Sequence, residues 1–191
     1  MRGRRCAALE ALVGLDRCAG GCKGRVAVTE QVRAREFHTG LGKPLSVAVA
    51  CDEQVVVAAG FLPLDELVAR AGYEIVDDDL GAIGAHVQAW LEGEILALED
   101  VPVRQRGTVF QEAVWAALRD IPVGGTLTYG EVAQSIGYPG AARAVGTACG
   151  ANRIAPFVPC HRVVPAQGGV VGHYGYGSDV KAALIATERS A

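Results

Sequence analysis

The sequence predicts an α+β protein, with a small N-terminal antiparallel β-sheet and helices followed by a mostly helical C-terminal half. Three observations predict this. Short β-branched runs fill residues 36–62. Two helix-capping signals, at Thr108 and Thr128, open helices in the second half. The charge changes sign between the halves: residues 51–100 hold twelve Asp or Glu and one basic residue, whereas residues 101–191 hold eight Lys or Arg and five acids. An anionic partner is therefore expected to meet the second half, although the net charge is −3 overall.

Half of the 191 residues are apolar and 20% are charged, which is ordinary globular composition. The length suits one domain or two small ones sharing a core. We read residues 1–35 as an N-terminal extension, 36–100 as an α/β domain and 101–191 as a second domain. No segment has enough consecutive apolar residues to span a bilayer. The basic start Met1-Arg2-Gly3-Arg4-Arg5 precedes an apolar stretch interrupted by Glu10 and Asp16, a poor match to a signal peptide, so a cytoplasmic protein is expected.

The elements follow in order. The extension is Arg- and Gly-rich, with a short helical stretch over Cys6–Val13. Leu45–Val49 and Val55–Ala59, separated by Cys51-Asp52-Glu53-Gln54, read as an antiparallel hairpin. Leu64–Ala71 and Gly81–Leu91 read as helices, the second with Ile83, Val87, Trp90 and Leu91 near one face. Glu92–Pro102 is a loop or short strand. Thr108 with Gln111 forms a capping box for a helix through Arg119, and Phe110, Val114, Ala117 and Leu118 form its buried stripe. Pro122 and Gly124-Gly125 follow its end. Thr128 with Glu131 opens a second helix to about Ile136, Gly137–Gly140 is a turn, and a third helix runs over Ala141–Ala151.

Two short helices around a tight turn suggest a helix-turn-helix. The third helix is built of small residues around one long cation, Arg143. Such a surface approaches either a nucleic-acid groove or a neighbouring helix closely; in the second case Arg143 stands at a solvent edge.

The six cysteines are Cys6, Cys18, Cys22, Cys51, Cys149 and Cys160, with no CxxC pair. Cys18 and Cys22, with His38 and His86, offer only a loose zinc-ligand set, and reduced thiols without a metal are the preferred reading. Cys160 differs. An apolar run, Ile154–Val158, leads into Pro159-Cys160-His161-Arg162, and a cation beside the sulfur would favour the nucleophilic thiolate. In a regular strand Cys160 and His161 point to opposite faces, so they cooperate only if the backbone turns there or a water links them.

The ordered set Gly107–Trp115, Ile121–Gly124, Thr128-Tyr129, Ala142–Gly146, Asn152 and Pro159–Val164 resembles the signature of the O6-alkylguanine-DNA alkyltransferases, and Gly172-His173-Tyr174, Lys181 and Glu188 extend it. The resemblance implies a ribonuclease H-like N-terminal domain and a winged-helix-like C-terminal domain that holds the helix-turn-helix and the active-site cysteine loop. It implies a monomer that binds double-stranded DNA through the minor groove and flips the alkylated base out of the stack. Cys160 would be the alkyl acceptor, used once. His161, through water, and Glu188 would activate it. Tyr129 would crowd the DNA backbone at the target and give a proton to the leaving guanine. Ala142, Arg143 and Gly146 would lie on the recognition helix, with Arg143 filling the gap left by the base. Asn152 would tie the helix-turn-helix to the active-site loop, Tyr174 would pack on the flipped base, and backbone carbonyls near Cys160 and Val163 would recognise its amino group. O4-alkylthymine is expected as a second substrate. No redox or nucleotide cofactor and no metal is required.

Three departures from the family pattern stand out. Arg153 follows Asn152 where proline is usual. The segment between Cys160 and Tyr174 is one residue longer, which alters the wing loop around Gln167-Gly168-Gly169. Tyr176 stands where some members have glycine and others tryptophan, and it predicts a narrowed pocket that favours methyl over benzyl. The rival readings are a relative that binds damaged DNA without transfer, a cysteine hydrolase using Cys160, His161 and Glu188, and a DNA-binding or structural domain with an incidental cysteine. The first lacks the acceptor cysteine, and no oxyanion hole is marked for the second.

Overall fold

A computed structural model describes residues 30–51, 54–167 and 171–190. The chain forms an α+β structure. Its first half holds β1 (Gln31–Phe37), β2 (Leu45–Ala50), β3 (Val56–Gly60), α1 (Leu64–Ala71), β4 (Glu74–Asp77) and α2 (Ala82–Leu91). The sheet order is β3-β2-β1-β4. The expected hairpin is β2–β3, and β1–β2 is also antiparallel, but β4 joins β1 in parallel. The sheet is thus antiparallel with one parallel edge.

Strand β1 begins at Gln31, inside the stretch read as extension. Its sequence hides it: Val32, Ala34 and Phe37 are buried, while Arg33, Arg35 and Glu36 interrupt the apolar signal. Strand β2 is buried along its whole length because both faces of the sheet are covered. Val47 and Val49 join the main core, whereas Ala48 and Ala50 pack with Leu62 and Leu67 under α1.

The second half holds α3 (Val109–Arg119), β5 (Leu127–Thr128), α4 (Tyr129–Ser135), α5 (Ala142–Gly150), a 3-10 turn (Cys160–Arg162), β6 (Val163–Val164) and α6 (Ser178–Arg189). Both capping boxes form, at Thr108–Gln111 and Thr128–Glu131. They satisfy the free N–H groups of the first turns and fix where α3 and α4 start. Val114, Trp115 and Leu118 carry α3 into the core, and Trp115 Nε1 donates to Ala148 O of α5 at 2.9 Å. The parallel pairs Leu127↔Val163 and Thr128↔Val164 join the start of α4 to the strand that leaves the 3-10 turn. Across the halves, Ala59 N of β3 donates to Arg153 O at 2.8 Å, and Val56 N donates to Pro102 O at 3.0 Å.

Among the described residues no helix is long and apolar enough to cross a membrane, and no group of three or more His, Cys, Asp or Glu is placed to hold a metal. Cys6, Cys18, Cys22, the short helix over Cys6–Val13 and the basic start lie outside the described residues, as do 168–170 of the wing loop.

Candidate active site

The backbone does turn at Cys160. The 3-10 turn, with Arg162 N donating to Pro159 O at 3.0 Å, takes Cys160 and His161 out of strand geometry. Cys160 is 7% exposed and lines a cavity of about 460 Å³ together with Asn152, Tyr174, Tyr176, Cys149 and Arg153. Asn152 is the organising residue. Its Nδ2 donates to Val158 O at 2.8 Å and to Cys160 Sγ at 3.2 Å, and its Oδ1 accepts from Ile154 N at 3.0 Å. The side chain therefore pins the apolar run on either side of the bend and presents a donor to the sulfur.

Behind the cysteine lies a buried ionic group. His161 Nε2 is 2.8 Å from Glu188 Oε1 on α6. Glu188 also accepts from Arg162 Nε at 3.1 and 3.2 Å and from Gly124 N at 3.2 Å. Gly124 has φ +75, and a Cβ there would lie 3.0 Å from Glu188 O, so the turn after α3 needs glycine for both reasons. Arg162 completes its own bonding to Ile121 O at 2.6 Å and Glu99 Oε1 at 2.8 Å. Burial would raise the Glu188 carboxyl, but the His161 and Arg162 bonds outweigh it and hold it at about 2. Burial holds His161 below its usual value against the pull of Glu188, so the imidazole is neutral near pH 7. Its Nδ1 is buried without a protein partner.

The cation near the sulfur is not Arg162, which turns toward Glu188. It is Lys181 of α6, 1% exposed, whose Nζ donates to Val163 O at 2.6 Å and stands 6.0 Å from the centre of the Tyr129 ring. Burial raises the Cys160 thiol, while the Asn152 donor and the Lys181 charge act to lower it. Sequence reading matched Lys181 to the family without giving it a task; a lysine inside a helix gives no sign that it is buried. Lys181 also occupies one side of the Val163 carbonyl that was expected to read the base, leaving that oxygen a second lone pair.

The remaining expected residues divide by place. Tyr174 is 7% exposed, with its hydroxyl beside the sulfur, where it also acts to lower the thiol although no other protein group bonds it. Tyr129 opens α4, and burial together with the two nearby thiols raises its phenol, which keeps its proton near neutral pH. Gly146 of α5 packs against it: a Cβ there would meet the Tyr129 ring at 3.8 Å. Arg143 is exposed on α5 and Ala142 begins that helix. After Asn152, Arg153 N donates to Gln105 Oε1 at 3.1 Å, a bond that proline cannot make.

The family model described as 6-O-methylguanine DNA methyltransferase, DNA binding domain, matches residues 109–190. A methylated-DNA–protein-cysteine methyltransferase of Mycolicibacterium paratuberculosis is 52% identical over 101 residues, which span 53% of this chain and 60% of that protein. The protein of that name from Methanosarcina mazei is 39% identical over 146 residues, covering 75% of this chain and 90% of the relative. The crystal structure of Mycobacterium tuberculosis O6-methylguanine methyltransferase superposes with a TM-score of 0.69 at 37% identity, over 83% of this chain and 93% of that one. A structure of that organism's protein in complex with DNA matches with the same score and identity, over 84% and 93%. By these likenesses the chain belongs to the methylated-DNA–protein-cysteine methyltransferase family.

Proposed function

We propose that this protein repairs DNA directly by moving the alkyl group of O6-alkylguanine onto Cys160, in one irreversible turnover. The observation that carries this reading is a cysteine lining a cavity and hydrogen-bonded by Asn152, with the charge of buried Lys181 acting on its sulfur and the next residue, His161, paired to Glu188. The thiolate attacks the alkyl carbon, the carbon–oxygen bond breaks, and the electron pair leaves on the guanine O6. The charge spreads into the ring, and Tyr129 gives the leaving guanine a proton. His161 takes the thiol proton through a water at Nδ1, and Glu188 holds the imidazole. A thioether is a poor leaving group, so the protein is consumed.

DNA bearing the damaged base is the partner. The finer reading is that α5 enters the minor groove, that Arg143 fills the gap left by the flipped base, and that Tyr129 crowds the backbone at the target. The exposure of Arg143 and the small residues of α5 support it. The protein acts as a monomer in the cytoplasm, without a metal or cofactor. O4-alkylthymine is a second substrate, and the Tyr176 wall favours methyl over benzyl.

Intact mass after mixing with an equimolar oligonucleotide carrying O6-methylguanine tests the reaction. A gain of one methylene, mapped to Cys160 and absent in Cys160→Ala, is expected. Tight binding without a mass change would replace this reading with damage recognition alone, and multiple turnovers would replace it with hydrolysis.

A further inference from the structure

One wall of the Cys160 cavity is a short loop, residues 172–177, that carries Tyr174 and Tyr176. The N-terminal sheet holds this loop. The Tyr176 ring meets Phe61 edge-on with 5.8 Å between centroids, and Tyr174 at 5.4 Å. It lies in the space left by Gly60: a Cβ there would sit 2.3 Å from Tyr176 Oη and 2.7 Å from its Cζ. The contact of the hydroxyl with Ala59 O, at 3.5 Å, is too long to fix the ring alone. The backbone is fixed separately, because Tyr176 O accepts from Lys43 Nζ at 2.6 Å. Lys43 is aimed by the β1–β2 turn, in which Thr39 Oγ1 donates to Lys43 O at 2.5 Å and accepts from Leu41 N at 3.1 Å. Two residues far apart in sequence therefore hold one tyrosine, one at its carbonyl and one at its ring.

We infer that Lys43 and Gly60 are positioning residues that keep Tyr176 across the Cys160 cavity and so set the largest alkyl group the protein admits. The inference rests on alkyl transfer to Cys160. Neither Lys43 nor Gly60 lines the cavity itself. On this inference a methyl group is admitted with the ring held or freed, whereas a benzyl group is admitted only when the ring moves. The size limit then belongs to the contact between the two halves of the chain, not to the cysteine loop alone.

The test compares methyl transfer from an O6-methylguanine oligonucleotide with benzyl transfer from free O6-benzylguanine. Wild-type methyl transfer is measured first, and its absence would overturn the reaction itself. With transfer present, Lys43→Met raises the benzyl-to-methyl rate ratio roughly tenfold, the low end of discrimination by pocket shape. Lys43→Arg keeps the wild-type ratio. In a Tyr176→Gly background Lys43→Met has no further effect on the ratio, since the ring that the held carbonyl positions is gone. Gly60→Ala also raises the ratio, by displacing the ring. A merely structural role would slow both substrates together. A ratio in Lys43→Met at or below wild type, or an equal effect of that change with and without Tyr176, overturns the inference. An unshifted ratio in folded Gly60→Ala removes Gly60 from it.

Discussion

The two halves of the molecule bury different things. Among the described residues, the buried polar or charged side chains are Ser46 in the sheet and Asn152, His161, Arg162 and Lys181 in the C-terminal half. The sheet is an apolar scaffold whose one buried hydroxyl is satisfied by Leu62 O at 2.7 Å. The C-terminal half places an ionic network inside its core. Buried charges cost stability unless each is paired, so their concentration around one cysteine marks where stability is spent on chemistry. The difference teaches that damage to the first half should be felt as stability, and damage to the second as stability and reaction together.

The largest effect tests the reaction side. Cys160→Ala abolishes alkyl transfer, read by intact mass, while retaining binding to the lesion oligonucleotide in a gel-shift titration. Glu188→Ala comes next. It takes one of two carboxylates from buried Arg162, which keeps Glu99, and the Glu188 partner from His161, and should cost on the order of 3 kcal/mol in urea denaturation as well as slowing transfer. A stable Glu188→Ala that transfers at the wild-type rate would break the comparison. Ile83→Ala, 3% exposed on α2, should cost about 2–5 kcal/mol and leave the transfer rate per folded molecule as it was. A slowed rate there would mean that the scaffold is not passive. Thr108→Ala, which removes one half of a capping box, should cost about 1 kcal/mol.

The pH dependence sharpens the same contrast. Glu188 has a lowered folded value, so its contribution to stability is complete above its ordinary 4.5 and is lost only as pH falls toward about 2. His161 is also lowered, from 6.5, so its neutral burial favours folding above that value and opposes it as acid forces the proton on. Stability should therefore begin to fall below about pH 6.5, and this early loss should be missing in a folded His161→Gln variant. Transfer should accelerate as pH rises toward the raised value of the Cys160 thiol. A rate flat across neutral and alkaline pH would mean that the thiolate is already formed.

Much of the fold was legible where local chemistry decides it. The capping residues Thr108 and Thr128 marked the starts of α3 and α4, and the turn at Gly137–Gly140 separated α4 from α5. Elements set by tertiary packing were not legible. Strand β1 carries charges between its buried positions, and β4 leaves Ile75 and Val76 exposed at an edge. Helix α6 was unread because one of its buried positions is a lysine. The same limit applied to the site. The cysteine motif pointed to a candidate nucleophile, but which cation acts on its sulfur depends on how α6 packs, 21 residues farther along the chain at Lys181.

The Asn152-Arg153 pair bears on how such chains diversify. Gln105 bonds it twice, accepting from Arg153 N at 3.1 Å and donating to Asn152 Oδ1 at 3.2 Å. A proline at 153 would silence the first of these bonds and release part of the constraint on Gln105. Positions 105 and 153 should then drift as a pair across related sequences, glutamine accompanying a residue with a free amide and a wider choice accompanying proline. In this chain one backbone hydrogen bond, from Arg153 N to Gln105 Oε1, stands where a proline would supply the rigidity of a ring.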